Sequence, residues 1–198
     1  MPLTRPKAKM LSGAIPSANL SLATGDLPAG SVLQVKQGWS DTKETTNTSA
    51  NGAAPTCPAS VTITPASSSN KILIMFYGSW IFGNGNDVSF YLLRGSTQIG
   101  TSTVTGHNSR GIIVEGIGSY NDWRPRTSSF QYLDSPSTTS SITYTVKAIG
   151  IQGTKSSGGA AVGGASNNEE WTWGGSIATS GTESNSGTMA MIAMEIKG

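Results

Sequence analysis

With 198 residues, 12% of them charged, and a net charge of +2, the chain suits one domain with an appendage. It lacks the basic surplus that strong phosphate binding needs. One cysteine, Cys57, excludes an intrachain disulfide and with it a small stapled scaffold; between Pro55 and Pro58 it reads as an ordinary buried thiol.

The first 30 residues show no strand or helix pattern. Four prolines (Pro2, Pro6, Pro16 and Pro28) interrupt any regular element, and such a segment cannot build its own core. Isolated apolar residues (Leu3, Leu11, Ile15, Leu20, Leu22) stand beside Arg5, Lys7 and Lys9, with no acid before Asp26. Irregular spacing suits pockets on a partner rather than one helical stripe, so residues 1–30 read as an extended attachment arm. Its three cations would bind nucleic acid weakly at best, and an acidic protein surface is the better match. No apolar run resembles a signal peptide or the ~20 residues of a membrane helix, so synthesis in a cytoplasm is expected.

Residues 31–198 read as the body. Ser, Thr, Asn and Gly replace the missing charge and favour turns and strand faces over helices. Strand patterns follow at 31–38, 60–65, 71–82, 87–95, 97–104, 111–118, 129–134, 141–152, 171–179 and 188–197, with the polar stretch 40–59 as a long loop. Gly83-Asn84-Gly85-Asn86 supplies hairpin-turn conformations between two of them. Nine or ten short strands separated by turn clusters describe an antiparallel β-sandwich. About 165 residues of body are enough for a core without metal or disulfide.

Alternation within the strands adds a second expectation. In 142–148 the apolar set Ile142, Tyr144, Val146 and Ala148 opposes Thr143, Thr145 and Lys147, as for a strand with one wet face. In 72–77 both sets are apolar: Ile72, Ile74 and Phe76 against Leu73, Met75 and Tyr77. In the last strand Ala190, Ile192, Met194 and Ile196 oppose Met189, Met191 and Ala193, until Glu195. Something must cover the outer faces, taken as Leu73, Met75, Tyr77, Met189 and Met191, and contact between subunits is the simplest cover.

Chemistry-bearing motifs are sparse. His107 is the one histidine and has no specific serine and carboxylate to form a triad with. Asn84, Asn86 and Asp87 lack the rest of a calcium loop, and no His/Cys cluster has metal-ligand spacing. Glu169 and Glu170 are adjacent, so along a strand they point apart rather than flanking a glycosidic bond. The Gly-rich run 153–168 lacks a Gly-Lys-Ser/Thr signature and reads as a loop. These features point away from an enzyme and from any cofactor or metal. Trp123, Arg124 and Arg126, with Trp171 and Trp173, are the residue types that carry contact energy, and they form the candidate distal binding set.

LPAGSVLQVKQ (27–37), SVTITPASSSNKILIMF (60–76), FYLLRGSTQIG (90–100), SITYTVKA (141–148) and the final AMIAMEIKG (190–198) together resemble a module of bacteriophage virion proteins, especially from phages of cyanobacteria. The resemblance covers 27–148 in patches and the last strand. It implies a trimeric jelly-roll head on an N-terminal attachment segment, here without a coiled-coil or repeat shaft, and Leu73, Met75, Tyr77, Met189 and Met191 are then expected at the trimer interface. The expected protein is therefore an all-β, jelly-roll-like virion component. As a capsid decoration or cement trimer, it would be fastened by its arm to the major capsid protein or another virion protein. The alternative is a tail-fibre or tailspike tip that binds host polysaccharide. Neither version requires direct contact with nucleic acid or a membrane.

Overall fold

The computed structural model describes residues 26–42, 44–48, 56–82, 87–100, 111–115, 126–151, 169–173 and 187–198. Arm residues 1–25 lie outside them. All eleven elements among the described residues are strands: β1 (Val32–Ser40), β2 (Glu44–Thr48), β3 (Thr56–Ile63), β4 (Lys71–Phe82), β5 (Asp87–Arg94), β6 (Thr97–Ile99), β7 (Ile113–Glu115), β8 (Arg126–Asp134), β9 (Ile142–Ile151), β10 (Glu169–Trp173) and β11 (Met189–Ile196).

Every pairing is antiparallel, and the strands form two sheets. The first runs β1-β11-β4-β10-β2, with β8 on the other edge of β4; the second runs β3-β9-β5-β6, with β7 also on β5. Trp80 pairs with Arg126 of β8 and with Trp173 of β10, so β10 continues the edge that β11 occupies lower on β4. Setting β2 and β10 aside, and counting β6 and β7 as halves of one strand along β5, the pairs nest. The first strand pairs the last (β1 with β11), the next inward pair is β3 with β9, then β4 with β8, and β5 closes on β6 and β7. Nested pairs of this kind make a long hairpin rolled into a sandwich, the jelly roll.

The inward residues are those that alternation selects. β9 buries Ile142, Tyr144, Val146 and Ala148; β4 buries Ile72, Ile74, Phe76 and Trp80; β5 contributes Phe90 and Leu92. The Trp80 and Phe90 rings meet edge-on across the sheets, with centroids 5.4 Å apart. The indole of Trp80 donates to Ser128 Oγ at 2.7 Å, so its one polar atom is satisfied inside the core. Gly38 marks where β1 comes closest to β3: a Cβ there would lie 1.6 Å from the carbonyl oxygen of Ser60. Gly95, at φ +59°, is the first of two residues turning β5 into β6, a backbone position that suits glycine.

Two expectations are corrected. The stretch 40–59 is not one loop: it contains β2 and the start of β3, with Cys57 and Ala59 facing the core. A register shift between Thr56 and Ser60 lets β3 accommodate Pro58, which had masked the alternation. Met189 and Met191 are not on an outer face. They are fully buried with Ala193, and the Ala190/Ile192/Met194/Ile196 set faces outward. Glu195, which follows on the same side as Met189 and Met191, is fully buried too, because its carboxylate finds donors inside.

Candidate interaction face

Directly paired residues of antiparallel strands share a face, so the registers lay out the outer surface of the first sheet. Across β1, β11, β4 and β8 one row reads Val35, Met194, Leu73, Leu133. The next reads Gln37, Ile192, Met75, Gln131, and the third Trp39, Ala190, Tyr77, Ser129. Beyond the first row lie Val32, Ile196 and Lys71. The most exposed large apolar residues of the described chain all belong here: Val32, Val35, Trp39, Tyr77 and Leu133, at 49–63% exposure.

The second sheet is the internal control. Its outward positions on β3 and β9 are Ser60, Thr62, Thr143, Thr145 and Lys147, and the Thr62 and Thr143 hydroxyls meet at 2.8 Å. On β5 the same face continues with Tyr91 and Leu93, so the polar dressing is confined to β3 and β9. Four strands spaced ~4.8 Å apart and eight residues rising ~3.4 Å each give the apolar face about 500 Å². A contiguous, mostly apolar surface of this size is often functional on a soluble protein.

One end of the sandwich is pinned by two buried carboxylates, Glu195 and Asp134, which flank Ile72 in one cross-strand row. Glu195 accepts from Gln34 Nε2 (2.6 Å), Asn70 Nδ2 (2.6 Å) and the Ala66 amide (2.7 Å). Burial pushes this carboxyl up, but hydrogen bonds from Asn70, Gln34 and the backbone at Ala66 and Ser67 outweigh it and hold it below its ordinary value. Asp134 accepts from the Tyr144 hydroxyl (2.7 Å) and from Arg94 Nη1 (3.1 Å), joining β8 to β5 and β9 of the facing sheet. Burial first, and then the Asp134 carboxylate, raise the Tyr144 phenol. Cys57 sits 3.6 Å from Met189 Sδ, and burial pushes its thiol up to about 12. An open pocket of about 160 Å³ near Glu195 is lined in part by Asn70 and Lys197, whose side chains bond to Glu195 and to the Leu27 carbonyl. Among the described residues no three His, Cys, Asp or Glu side chains come together.

The expected site residues therefore separate. Leu73, Met75 and Tyr77 lie on the apolar face, and Met189 and Met191 lie beneath it. Of the distal set, Trp123 and Arg124 fall outside the described residues, as do His107, Asn84, Asn86 and residues 153–168. Arg126 opens β8, and Trp171 and Trp173 lie in β10; the register sets Arg126 and Trp173 on either side of Trp80. Leu3, Arg5, Lys7, Lys9, Leu11, Ile15, Leu20 and Leu22 are outside the described residues.

Alternation along 31–38 could not reveal the β1 part of the face. Val32 and Val35 are an odd number of residues apart, which puts them on opposite sides of a regular strand. A register shift between Val32 and Gln34 brings both outward. No protein-family model matches the chain, and no curated protein sequence matches it.

Proposed function

We propose that this chain is a structural protein of a phage virion, a head decoration or cement subunit. Its sandwich would self-associate through the outer face of the first sheet, and its N-terminal segment would fasten it to the major capsid protein or another virion protein. The observation that carries this reading is the outer face of the first sheet, which presents eleven apolar side chains in adjoining rows. The sequence resemblance supplies the virion context and implies threefold symmetry in the assembly.

A cement protein adds binding free energy to the shell. Phage lacking it should release DNA at a lower temperature, and protein lacking residues 1–25 should fold but fail to restore the shell. Normal heat resistance of the deletion phage refutes the cement role. A receptor-binding tail tip is the second reading, and it stands on the residue types Trp123, Arg124, Arg126, Trp171 and Trp173, of which the last two share β10. Loss of host adsorption in a Trp123→Ala/Trp171→Ala phage with unchanged heat release selects it.

A further inference from the structure

Side-chain size along the apolar face is not random. In the row Trp39, Ala190, Tyr77, Ser129, large and small alternate from β1 to β8. Turn a second copy of the sheet over about a twofold axis running along the strands, between β11 and β4. β1 then faces β8 of the other copy, and β11 faces β4.

Each ring now meets a small residue, Trp39 over Ser129 and Tyr77 over Ala190. The neighbouring rows bring Val35 over Leu133, Met194 over Leu73, Ile192 over Met75, and Gln37 over Gln131. The two Lys71 side chains, the only charges in these rows, stay apart, each over an Ile196. An axis across the strands does worse, because it sets Trp39 on Val35 and Tyr77 on Leu73, large on large. Even filling of the gap at native density requires the largest side chains opposite the smallest and medium opposite medium, and aligned sheets packed ~10 Å apart at about −30° keep the central rows opposed.

We propose that the outer face of the β1-β11-β4-β8 sheet is an isologous interface, occupied by the same face of a second copy through a twofold parallel to the strands. The inference rests on reading this face as a self-association surface, and it specifies the partner, the axis and the register. About 500 Å² from each copy gives roughly 1,000 Å² in the pair, the size at which a specific interface becomes tenable. The face offers a charged partner almost nothing to recognise, whereas a second copy matches it in polarity and in shape. A threefold contact elsewhere on the body would multiply the pair to six copies without altering it, so the number of copies is even.

The test uses the full chain with cysteine at positions 37 and 131. Within one copy these positions lie on β1 and β8, three strand spacings or about 14 Å apart, too far for a short bis-maleimide to bridge. Between copies they face each other, and Cys57 stays silent because its thiol is buried and protonated. The Gln37→Cys/Gln131→Cys protein should cross-link to a dimer band, and Gln37→Cys alone should not. Native mass should correspond to two or six copies, and Ile192→Glu should reduce it to half. A mass of one copy, as when residues 1–25 fold onto the face, or of three copies overturns the pairing. So does a Gln37→Cys protein that cross-links to itself, since that signals an axis across the strands. These measurements use purified protein and the virion reading is measured on particles, so either can fail without the other.

Discussion

Replacing Glu195 with glutamine tests the buried carboxylate that ties the end of β11 to β1 and to the segment before β4. In the folded chain the carboxylate accepts from Gln34, Asn70 and the Ala66 amide, and it has no exposed surface. An amide keeps one accepting oxygen and turns an NH2 group toward donors, leaving at least one buried donor unpaired, at a cost of about 1–3 kcal/mol near pH 7. The pH dependence is more specific. Glu195 is held below its ordinary value of 4.5 in the folded state, so its contribution is fully present above that value. As pH falls below it, the unfolded chain takes up a proton that the folded chain refuses. Stability then declines by up to about 1.4 kcal/mol per pH unit until the folded carboxyl is protonated. Urea unfolding of wild type and Glu195→Gln at matched protein concentration, from pH 7 downward, should give curves separated at neutral pH that converge below pH 4.5. Parallel curves across that window would refute the assignment of Glu195 as an ionised, hydrogen-bonded clamp.

Met191→Ala should cost about 2–5 kcal/mol in urea unfolding, as for a fully buried methionine, whereas Met194→Ala on the outer face should cost far less and instead weaken association. If the ranking is reversed, the inward face of β11 is misassigned. Gly38→Ala must drive β1 away from Ser60, so loss of soluble protein or a drop of more than about 2 kcal/mol is expected, and a neutral result contradicts the close approach of β1 to β3. Tyr144→Phe removes the hydroxyl that meets Asp134 at 2.7 Å and should cost about 1–2 kcal/mol with the fold retained, as read by circular dichroism and thermal melting.

Much of the architecture was legible in local pattern. The alternation of Ile142, Tyr144, Val146 and Ala148 against Thr143, Thr145 and Lys147 set the inner and outer faces of β9 correctly, because one set is polar. β4, apolar on both sides, announced that an outer face needed a cover, and Leu73, Met75 and Tyr77 lie on that face.

The parity of a strand is written in its residues, but which parity faces inward is a property of the packed sheets. β11 shows this: two apolar sets compete, and Met189 and Met191 win the interior because Gln34, Asn70 and the Ala66 amide satisfy Glu195 on that side. Those donors lie up to 161 positions away in sequence, beyond any local window. The same holds for the apolar face. Its members come from four strands whose neighbours are set by nested, long-range pairing, and its β1 portion depends on a register shift that breaks the two-residue period. Composition and alternation determined that this is a β-sandwich with a strand apolar on both faces. Only the tertiary pairing decided which side chains form the apolar face, because residues adjacent across a sheet are related by register and not by sequence distance.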